Sequence, residues 1–273
     1  MALITLIRGG GDLASGVALR LYRAGLRLII TELPQPLVVR RSVSFAEAIY
    51  SSSCQVEGVT AVRVDDLEQA VRIFDEGLIP VLVDPNASCL AGLHLGQAAL
   101  VLVDARMTKL PPETTLSSAS MVIGLGPGYV AGQNCHAVIE TNRGHLLGRV
   151  FWQGASEADT GEPDAVLSQG GSRVLRAPAQ GLIQTFVQIG DHVEPGQVVA
   201  EVNGIPVMAP FAGVMRGLIH SGLPVWNGLK IGDVDPRDDP RFCYLVSDKA
   251  LAVGGGVLEA ILSTTSLKHQ LWD

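Results

Sequence analysis

Small and acidic residues near the N-terminus have the spacing of a nucleotide-binding turn. Gly9, Gly11 and Ala14 fit the pattern G-x-G-x-x-A, between an apolar run of strand length and a run with helical spacing. In such a turn the first glycine permits the tight bend, the second lets the backbone approach a pyrophosphate, and the small third residue lets helix and strand pack closely. Glu32 stands 21 residues after Gly11, where an acid can accept a hydrogen bond from a ribose 2′-hydroxyl. We interpret the segment as a nucleotide or dinucleotide site; the alternative is a glycine turn that binds nothing.

Gly10 and Asp12 complete this candidate turn. The N-terminus of the following helix would present free N–H groups and a partial positive charge to an anion. A carboxylate at Asp12 would repel a pyrophosphate unless a cation or an arginine intervenes. Asp12 would otherwise cap the helix with its side chain, and both roles stay open.

Basic residues and a second glycine-rich loop follow two other predicted strands. Arg106 lies at the carboxyl end of the run 98–107 and Lys109 just past it, and arginine or lysine there can hold a phosphate or a carboxylate. Ligands of open α/β sheets lie outside the carboxyl ends of the strands, so we expect both groups to border one cleft with the first turn. Solvated strand ends are the alternative. The glycines of the second loop are Gly124, Gly126 and Gly128.

Two further polar groups have less specific patterns. Arg40 and Arg41 would suit a phosphate or an acidic partner, although surface arginines usually bind neither. A Cys/His/Glu group in 135–145 is more typical of a solvent-facing hairpin edge than of a metal site, so no metal is expected. Signatures of a serine triad, HExxH and GxxxxGK[ST] are absent, so no catalytic residue is assigned. The group in question is Cys135, His136, Glu140 and His145.

Alternating apolar and amphipathic runs predict an α/β fold for residues 1–152. Buried strands and helices in alternation are typical of a Rossmann-like parallel sheet that is covered on both faces. The segment 136–152 is predicted as a β-hairpin that turns at "TNRG". The predicted strands are 3–7, 26–31, 59–64, 78–85, 98–107 and 119–128, and the predicted helices are 13–22 and 65–77.

The second half of the chain differs from the first in composition and pattern, and it contains an internal repeat. Residues 153–173 are polar and rich in Gly, Ser, Asp and Glu, which is typical of a linker or loop. Residues 177–202 align with 209–234 at a constant offset of 32, and Asn203-Gly204 between them is a strong hairpin signal. One copy could not bury its apolar face alone, so 174–245 is predicted to be a small all-β module of two packed copies. The helical pattern of 246–273 would cover this module or return to the first domain.

Composition limits the partners of the chain. It has 273 residues, 47% of them hydrophobic, and a net charge of −7, which argues against a nucleic-acid partner. No apolar run reaches the roughly 18 residues of a membrane span, and the N-terminus has no signal-peptide pattern. We therefore expect a cytoplasmic protein with no membrane partner. Its four cysteines form no CxxC pair and are expected to be free thiols.

The repeat resembles the biotinyl/lipoyl-carrier fold, the barrel-sandwich hybrid. The pattern "AP..G.I......GD.V..G" followed by "APF.G" is similar to that family over about 60 residues. The family's modified lysine lies at the tip of the central hairpin, whereas the tip here reads "VNGIPVM". Lys230 is nearby but falls in the second copy. No covalent biotin or lipoate is therefore expected.

Five sequence blocks are spread from Ile7 to Ile261: "IRGGGDLASGVALRLYRAG", "RRSVSFAEAIY", "VDARMTK", "GLGPGYVAGQNCHAVIETNRGH" and "SDKALAVGGGVLEAI". Together they resemble the YqeB family of selenium-dependent molybdenum hydroxylase systems. The first half is also distantly similar to the Rossmann domain of XdhC-type accessory proteins.

This resemblance implies an accessory or maturation role for a molybdenum hydroxylase. The glycine turn would then bind a dinucleotide, either molybdopterin dinucleotide or NAD, and the β module would dock the client enzyme or a second copy of the chain. Two alternatives stand beside it. One is an NAD(P)-dependent oxidoreductase, although no residue offers itself as the proton donor or acceptor. The other is a non-catalytic scaffold with a vestigial glycine turn.

Overall fold

The computed structural model describes residues 3–95, 99–108, 112–159 and 171–268. These residues form two compact units. The first contains 3–36, 44–159 and 246–268, and the second contains 37–43 and 171–245. Each unit is thus assembled from separate stretches of the chain, whereas the sequence predicts contiguous domains.

The first unit contains most of the helices and strands. Its strands are β1 (Ile4–Arg8), β2 (Arg27–Glu32), β3 (Ser53–Val56), β4 (Val59–Val64), β5 (Ile79–Val83), β6 (Leu100–Asp104), β7 (Met121–Leu125), β8 (Val130–Ala131), β9 (Ala137–Ile139), β10 (Val150–Phe151) and β11 (Gly154–Ala155). Its α-helices are α1 (Asp12–Arg23), α2 (Ala48–Ser51), α3 (Leu67–Arg72), α4 (Leu90–Leu95), α5 (Asp248–Ser263) and α6 (Thr265–Lys268). Short 3₁₀ turns cover Phe45–Glu47, Ile73–Glu76 and Leu116–Ser118.

A nine-stranded sheet organises this unit, in the order β10-β9-β7-β6-β1-β2-β5-β4-β3. Strands β9 through β4 are parallel to their neighbours, while β3 and β10 pair antiparallel at the two edges. The predicted sheet is therefore mixed rather than wholly parallel. At one edge Glu57 and Gly58 take φ values of 45° and 84°, which makes a tight hairpin that reverses the chain. The central strands are apolar because both faces are covered, with Leu6, Ile7, Ile29, Ile30, Leu102 and Ile123 fully buried.

The C-terminal helix α5 packs on α1 through glycine. A Cβ added at Gly16 would lie 2.5 Å from the carbonyl oxygen of Ala250, and one added at Gly254 would lie 2.6 Å from that of Gly16. The two backbones therefore touch where side chains would normally separate them. Of the two placements open for the tail, the described residues take the one on the first unit.

Two predicted elements of this unit differ in detail from the structure. The helix predicted over 65–77 divides into α3 and the 3₁₀ turn Ile73–Glu76, and Asp66 caps α3 by accepting the N–H of Gln69 at 2.8 Å. The hairpin predicted over 136–152 is present as β9 and β10, with a longer connection than the "TNRG" turn.

The second unit consists of two antiparallel four-stranded sheets, β12-β19-β17-β14 and β16-β15-β13-β18. Short 3₁₀ turns cover Arg41–Val43, Gly171–Arg173 and Pro240–Cys243. The strands are β12 (Val174–Arg176), β13 (Gly181–Thr185), β14 (His192–Val193), β15 (Val198–Val202), β16 (Ile205–Met208), β17 (Gly213–Leu218), β18 (Pro224–Val225) and β19 (Lys230–Asp235).

The repeat in the sequence becomes a reciprocal exchange of strands. β13, β14 and β15 begin 32 residues before β17, β18 and β19. β14 of the first copy pairs with β17 of the second, and β18 of the second pairs with β13 of the first. Asn203 and Gly204, with φ values of 53° and 74°, turn the hairpin between β15 and β16. Each copy thus completes a sheet of the other, so neither could bury its apolar face alone.

Within the part of the chain that the structure describes, no helix is long and apolar enough to cross a membrane.

Candidate functional site

The glycine turn after β1 is packed tightly against its own protein. Gly9 has a φ of +94°, and its N–H donates to the Thr31 carbonyl at 2.8 Å. A Cβ at Gly9 would lie 3.3 Å from Cα of Arg106, and a Cβ at Gly10 would lie 2.9 Å from the backbone nitrogen of Ala46. Glycine at these two positions therefore serves the fold itself, whatever the turn binds.

Gly11 and the residues after it begin α1. Gly11 is the N-cap with φ −71° and ψ −171°, a conformation open to any residue, and its carbonyl accepts the N–H of Ser15. Asp12 is the first helical residue, so its carboxylate lies in the first turn and does not take the N-cap position. A negative charge in the first turn stabilises a helix. Ala14 is buried, 1% exposed, against the core.

Glu32 ends β2, and its carboxylate is bonded to the glycine turn. One oxygen, Oε2, accepts the N–H of Gly10 at 2.7 Å, and Oε1 accepts the N–H of Leu33 at 2.7 Å. Burial raises the pKa of Glu32, and the two backbone hydrogen bonds partly oppose that rise. The acid expected to face a ribose is thus anchored to the backbone, while each oxygen keeps a second lone pair for another donor.

Arg8 and Arg106 lie at neighbouring strand ends and face the carboxylate of Asp104. Arg106 donates from Nε to Oδ1 at 2.9 Å and from Nη2 to Oδ2 at 2.7 Å, while Nη1 of Arg8 lies 3.6 Å from Oδ2. The side chain of Asp104 is fully buried and that of Arg8 is 4% exposed. Hydrogen bonding to Asp104 raises the pKa of Arg106. The exposed Glu113 completes the group, with Oε2 3.3 Å from Nη2 of Arg8.

Side chains of the first unit fill most of the space beside the second glycine loop. A Cβ at Gly124 would lie 2.0 Å from Cγ of Tyr129, and one at Gly126, where φ is +71°, would lie 2.4 Å from Oγ1 of Thr141. A Cβ at Gly128 would meet no described atom within 4 Å. Gly128 is therefore the position of the three that could admit another molecule.

Tyr129 connects this loop to the arginine cluster. Burial raises its pKa, and so does the nearby charge of Asp104. Its phenol is therefore neutral, and its ring fills the space beside Gly124.

Sheet register brings several of the predicted residues together. Arg8 of β1 pairs with Asp104 of β6, which pairs with Gly124 of β7. The turn that starts at Gly9, the segment after β6 and the second glycine loop consequently begin at the same edge of the sheet. Lys109 lies outside the described residues.

Two other sets of polar residues do not join this edge. Arg40 donates to the carbonyls of Phe242 and Leu245, and Arg41 donates from Nε to that of Leu218. The phosphate role considered for these arginines is therefore not supported, because their guanidinium groups hold backbone carbonyls of the second unit.

The group expected at a hairpin edge is also used internally. His136 Nδ1 accepts the N–H of Val122, and the buried Glu140 accepts the N–H groups of Asn142 and Glu157. Among the described residues no group of three or more His, Cys, Asp or Glu could hold a metal ion.

The cysteines are free but not activated. Burial raises the pKa of the Cys54 and Cys135 thiols to about 11, and burial together with Asp84 raises that of Cys89 to about 12. These thiols stay protonated near neutral pH, so they are not nucleophiles.

Arg8, Glu113 and Tyr129 were not predicted from the sequence. Arg8 carries a signal in retrospect, because it is the one charged residue in the run "LITLIR" and directly precedes the glycines. Tyr129 directly follows the second glycine loop. Glu113 carries no local signal, since only the fold brings it to Arg8.

Comparisons with known proteins point to one relative. No family model matches the chain. It is 45% identical over 267 residues to the uncharacterized protein YqeB of Escherichia coli (strain K12), which covers 98% of this chain and 48% of that protein. The chain thus spans about half the length of the curated relative it matches.

Solved structures resemble the chain only weakly. An aspartoacylase family protein from Mesorhizobium loti is 13% identical, with 85% and 84% of the two chains covered and a TM-score of 0.27. The apo ectoine utilization protein EutE (DoeB) from Ruegeria pomeroyi is 9% identical, with 85% and 86% covered and a TM-score of 0.24. Neither likeness supports an argument about fold or activity. The curated relative, by contrast, supports the YqeB family that the sequence blocks of this chain resemble.

Proposed function

We propose that the first unit binds a nucleotide-bearing ligand at the carboxyl edge of its sheet, and that the chain acts as an accessory protein in the maturation of a molybdenum hydroxylase. One observation carries the binding part. Six of the seven parallel strands that the structure describes run β5-β2-β1-β6-β7-β9, which corresponds to the order 3-2-1-4-5-6 of Rossmann-like folds, and the seventh, β4, adds outside β5. Ligands of such folds bind where the order reverses, between β1 and β6.

The residues at that reversal suit a pyrophosphate. Gly9, Gly10 and Gly11 lead from β1 into α1, whose first N–H groups lack intrahelical partners and carry partial positive charge. Arg106 is the second residue after β6, and its backbone lies beside Gly9. A dinucleotide, either molybdopterin dinucleotide or NAD, would place its phosphates between these two elements.

Glu32 would serve such a ligand from its anchored position. Its two backbone hydrogen bonds hold the carboxylate next to the turn, and its remaining lone pairs can accept from ribose hydroxyls. Gly128, which has open space beside it, would border the same ligand from the second loop.

The second unit would act as a docking module. Its reciprocal strand pairing supports a biotinyl/lipoyl-like architecture, and its central hairpin turns at Asn203-Gly204 without a lysine for biotin or lipoate. One sheet exposes apolar side chains, with Val198 and Met208 side by side at 41% and 54% exposure and Leu182 at 64%. Exposed apolar groups on one sheet are typical of a protein-binding surface.

The accessory role is what the resemblance of the sequence blocks to the YqeB family implies, and the uncharacterized relative supports that family without supplying a role. In this proposal the first unit binds the cofactor and the second unit docks the client enzyme. An oxidoreductase would need a proton donor or acceptor at this edge of the sheet. The described groups there are the Glu32 carboxylate, which is bonded to the backbone, the guanidinium groups of Arg8 and Arg106, and the Tyr129 phenol, whose pKa is raised.

Ligand identification tests the proposal directly. The purified chain is denatured and the released small molecules are identified by mass, while calorimetry measures binding of molybdopterin dinucleotide, NAD and mononucleotides. A nucleotide released, or one bound below about millimolar Kd (roughly −4 kcal/mol), supports the site. The absence of any nucleotide binding at that level would overturn it, and hydride transfer with NAD would favour the oxidoreductase.

A further inference from the structure

An exposed carboxylate oxygen lies between two arginines beside the glycine turn. Oε2 of Glu113 is 3.3 Å from Nη2 of Arg8 and 3.6 Å from Nη1 of Arg106. The Glu113 side chain is 71% exposed, whereas that of Arg106 is 24% exposed and that of Arg8 is 4% exposed. The two guanidinium groups are therefore held by the protein, while the carboxylate between them reaches in from solvent.

The charges beneath this contact do not balance without Glu113. Asp104 supplies one buried negative charge against the two positive charges of Arg8 and Arg106. Nε of Arg8 is buried and has no hydrogen-bond partner among the described atoms. An anion at the position of the Glu113 carboxylate would therefore meet a net positive charge.

Tyr129 and Cys89, which lie near the arginines, have raised pKa values and are neutral. Asp84, whose pKa is lowered on balance against the effect of its burial, is ionised and adds a negative charge on the side of Arg8 where Nη2 donates to the Pro85 carbonyl. Its carboxylate is engaged by the N–H of Cys89 at 2.8 Å, and among the described residues it forms no ion pair with either arginine, so the groups that an anion at the Glu113 position would contact are the two guanidinium groups.

The contact made by Glu113 is also a weak one. Its distances exceed the roughly 2.7–2.9 Å of a charge-assisted hydrogen bond, and an exposed ion pair contributes little stability. A phosphate carries more charge and more acceptor oxygens, and it can meet two guanidinium groups at once.

We infer that Arg8 and Arg106 form a phosphate subsite, and that the Glu113 carboxylate is an internal competitor which a ligand phosphate displaces. The subsite is next to Gly9, whose Cβ position lies 3.3 Å from Cα of Arg106. The phosphate subsite itself is inferred from these three side chains. That the whole ligand is a nucleotide rests on the proposed function.

Titration calorimetry of the full chain with inorganic pyrophosphate tests the subsite. Glu113→Gln keeps the shape of the side chain and removes the competing charge, so it should bind pyrophosphate about tenfold more tightly than the wild type. Glu68→Gln changes the net charge equally at an exposed ion pair with Arg72, and should leave the affinity unchanged. Arg106→Gln should weaken binding by at least about tenfold.

The outcomes separate the subsite from the wider proposal. A gain with Glu113→Gln supports the subsite even if Arg106→Gln proves unstable, and it does so even if no nucleotide binds to any variant. If the wild type binds a nucleotide but Glu113→Gln binds pyrophosphate and that nucleotide no more tightly, the subsite is overturned while the proposed function stands. If neither anion binds to either protein, both are overturned.

Discussion

Glu32 and Gly10 are joined by a hydrogen bond of 2.7 Å from the turn's N–H to the carboxylate. The same carboxylate accepts the N–H of Leu33 at 2.7 Å and is 9% exposed. The acid at the end of β2 therefore shapes the glycine turn from within, in addition to any contact with a ligand.

Replacing Glu32 with glutamine should destabilise the first unit. Glutamine has one acceptor oxygen where glutamate has two, so one of the two N–H groups would face an NH₂ group. We expect the free energy of unfolding to fall by about 1–3 kcal/mol in urea. Glu68→Gln, on the exposed face of α3, should change it by less than about 0.5 kcal/mol. Equal stability of Glu32→Gln and the wild type would show that the carboxylate does not hold the turn.

A charge at Gly11 should separate ligand binding from folding. Its N-cap conformation accepts any residue, and both aspartate and asparagine are preferred N-caps. Gly11→Asp and Gly11→Asn should therefore fold as well as the wild type. Only Gly11→Asp places a negative charge where a phosphate would lie, and we expect it to lose nucleotide binding by at least about tenfold relative to Gly11→Asn in calorimetry. Equal affinity of the two variants would show that no ligand phosphate binds at the turn.

The helix contact between α1 and α5 should tolerate no side chain at Gly254. Its Cβ would lie 2.6 Å from the carbonyl oxygen of Gly16, so Gly254→Ala should lower the free energy of unfolding by about 1–3 kcal/mol. Gly255 lies in the same helix with nothing within 4 Å of its Cβ position among the described atoms. Gly255→Ala should thus gain up to about 1 kcal/mol from helix propensity. Thermal unfolding of both variants measures the difference, and similar shifts in Tm would contradict the close packing.

Lowering the pH should destabilise the second unit, because Asp235 becomes protonated. Burial by itself raises the pKa of Asp235, but hydrogen bonds from Arg237 and the nearby charge of Arg216 lower it on balance. A lowered pKa in the folded state means that the ionised form stabilises the fold above the ordinary pKa of 3.8, and this stability is lost as pH falls through the lowered value. Asp235→Asn should therefore be less stable than the wild type at pH 7, and the gap should narrow below about pH 4. Urea unfolding at several pH values checks this, and a gap independent of pH would contradict it.

The apolar sheet of the second unit should bind a protein partner through Leu182 and Met208. Lysine at either exposed position should leave Tm unchanged, because neither side chain is buried. Each variant should bind the proposed client enzyme about tenfold more weakly, because the contact would have to bury the lysine charge. Val71→Lys, at a side chain 46% exposed on α3 of the first unit, is the control. Loss of a homodimer in light scattering, with client capture intact, would assign the surface to a second copy of the chain instead.

Local pattern in the sequence accounts for much of the fold. Apolar runs and turn residues place β1, α1, β4 and β6 within a few residues of their bounds, because period and punctuation act over a few residues. The offset of 32 reappears as equivalent strands in the second unit, since a repeated pattern folds into a repeated element.

Tertiary structure decided what the sequence leaves open. Only the register of β1, β6 and β7 brings Arg8, Asp104 and Gly124 to one edge, and only the folded chain turns Glu113 towards Arg8 across 105 positions. The sequence predicts that Gly124 and Gly126 border a ligand, yet Tyr129 and Thr141 fill the space beside them. The strand-exchanged pairing of the two repeats and the return of α5 to α1 are likewise long-range contacts. Such contacts depend on which apolar faces meet in space, and no local spacing encodes that choice.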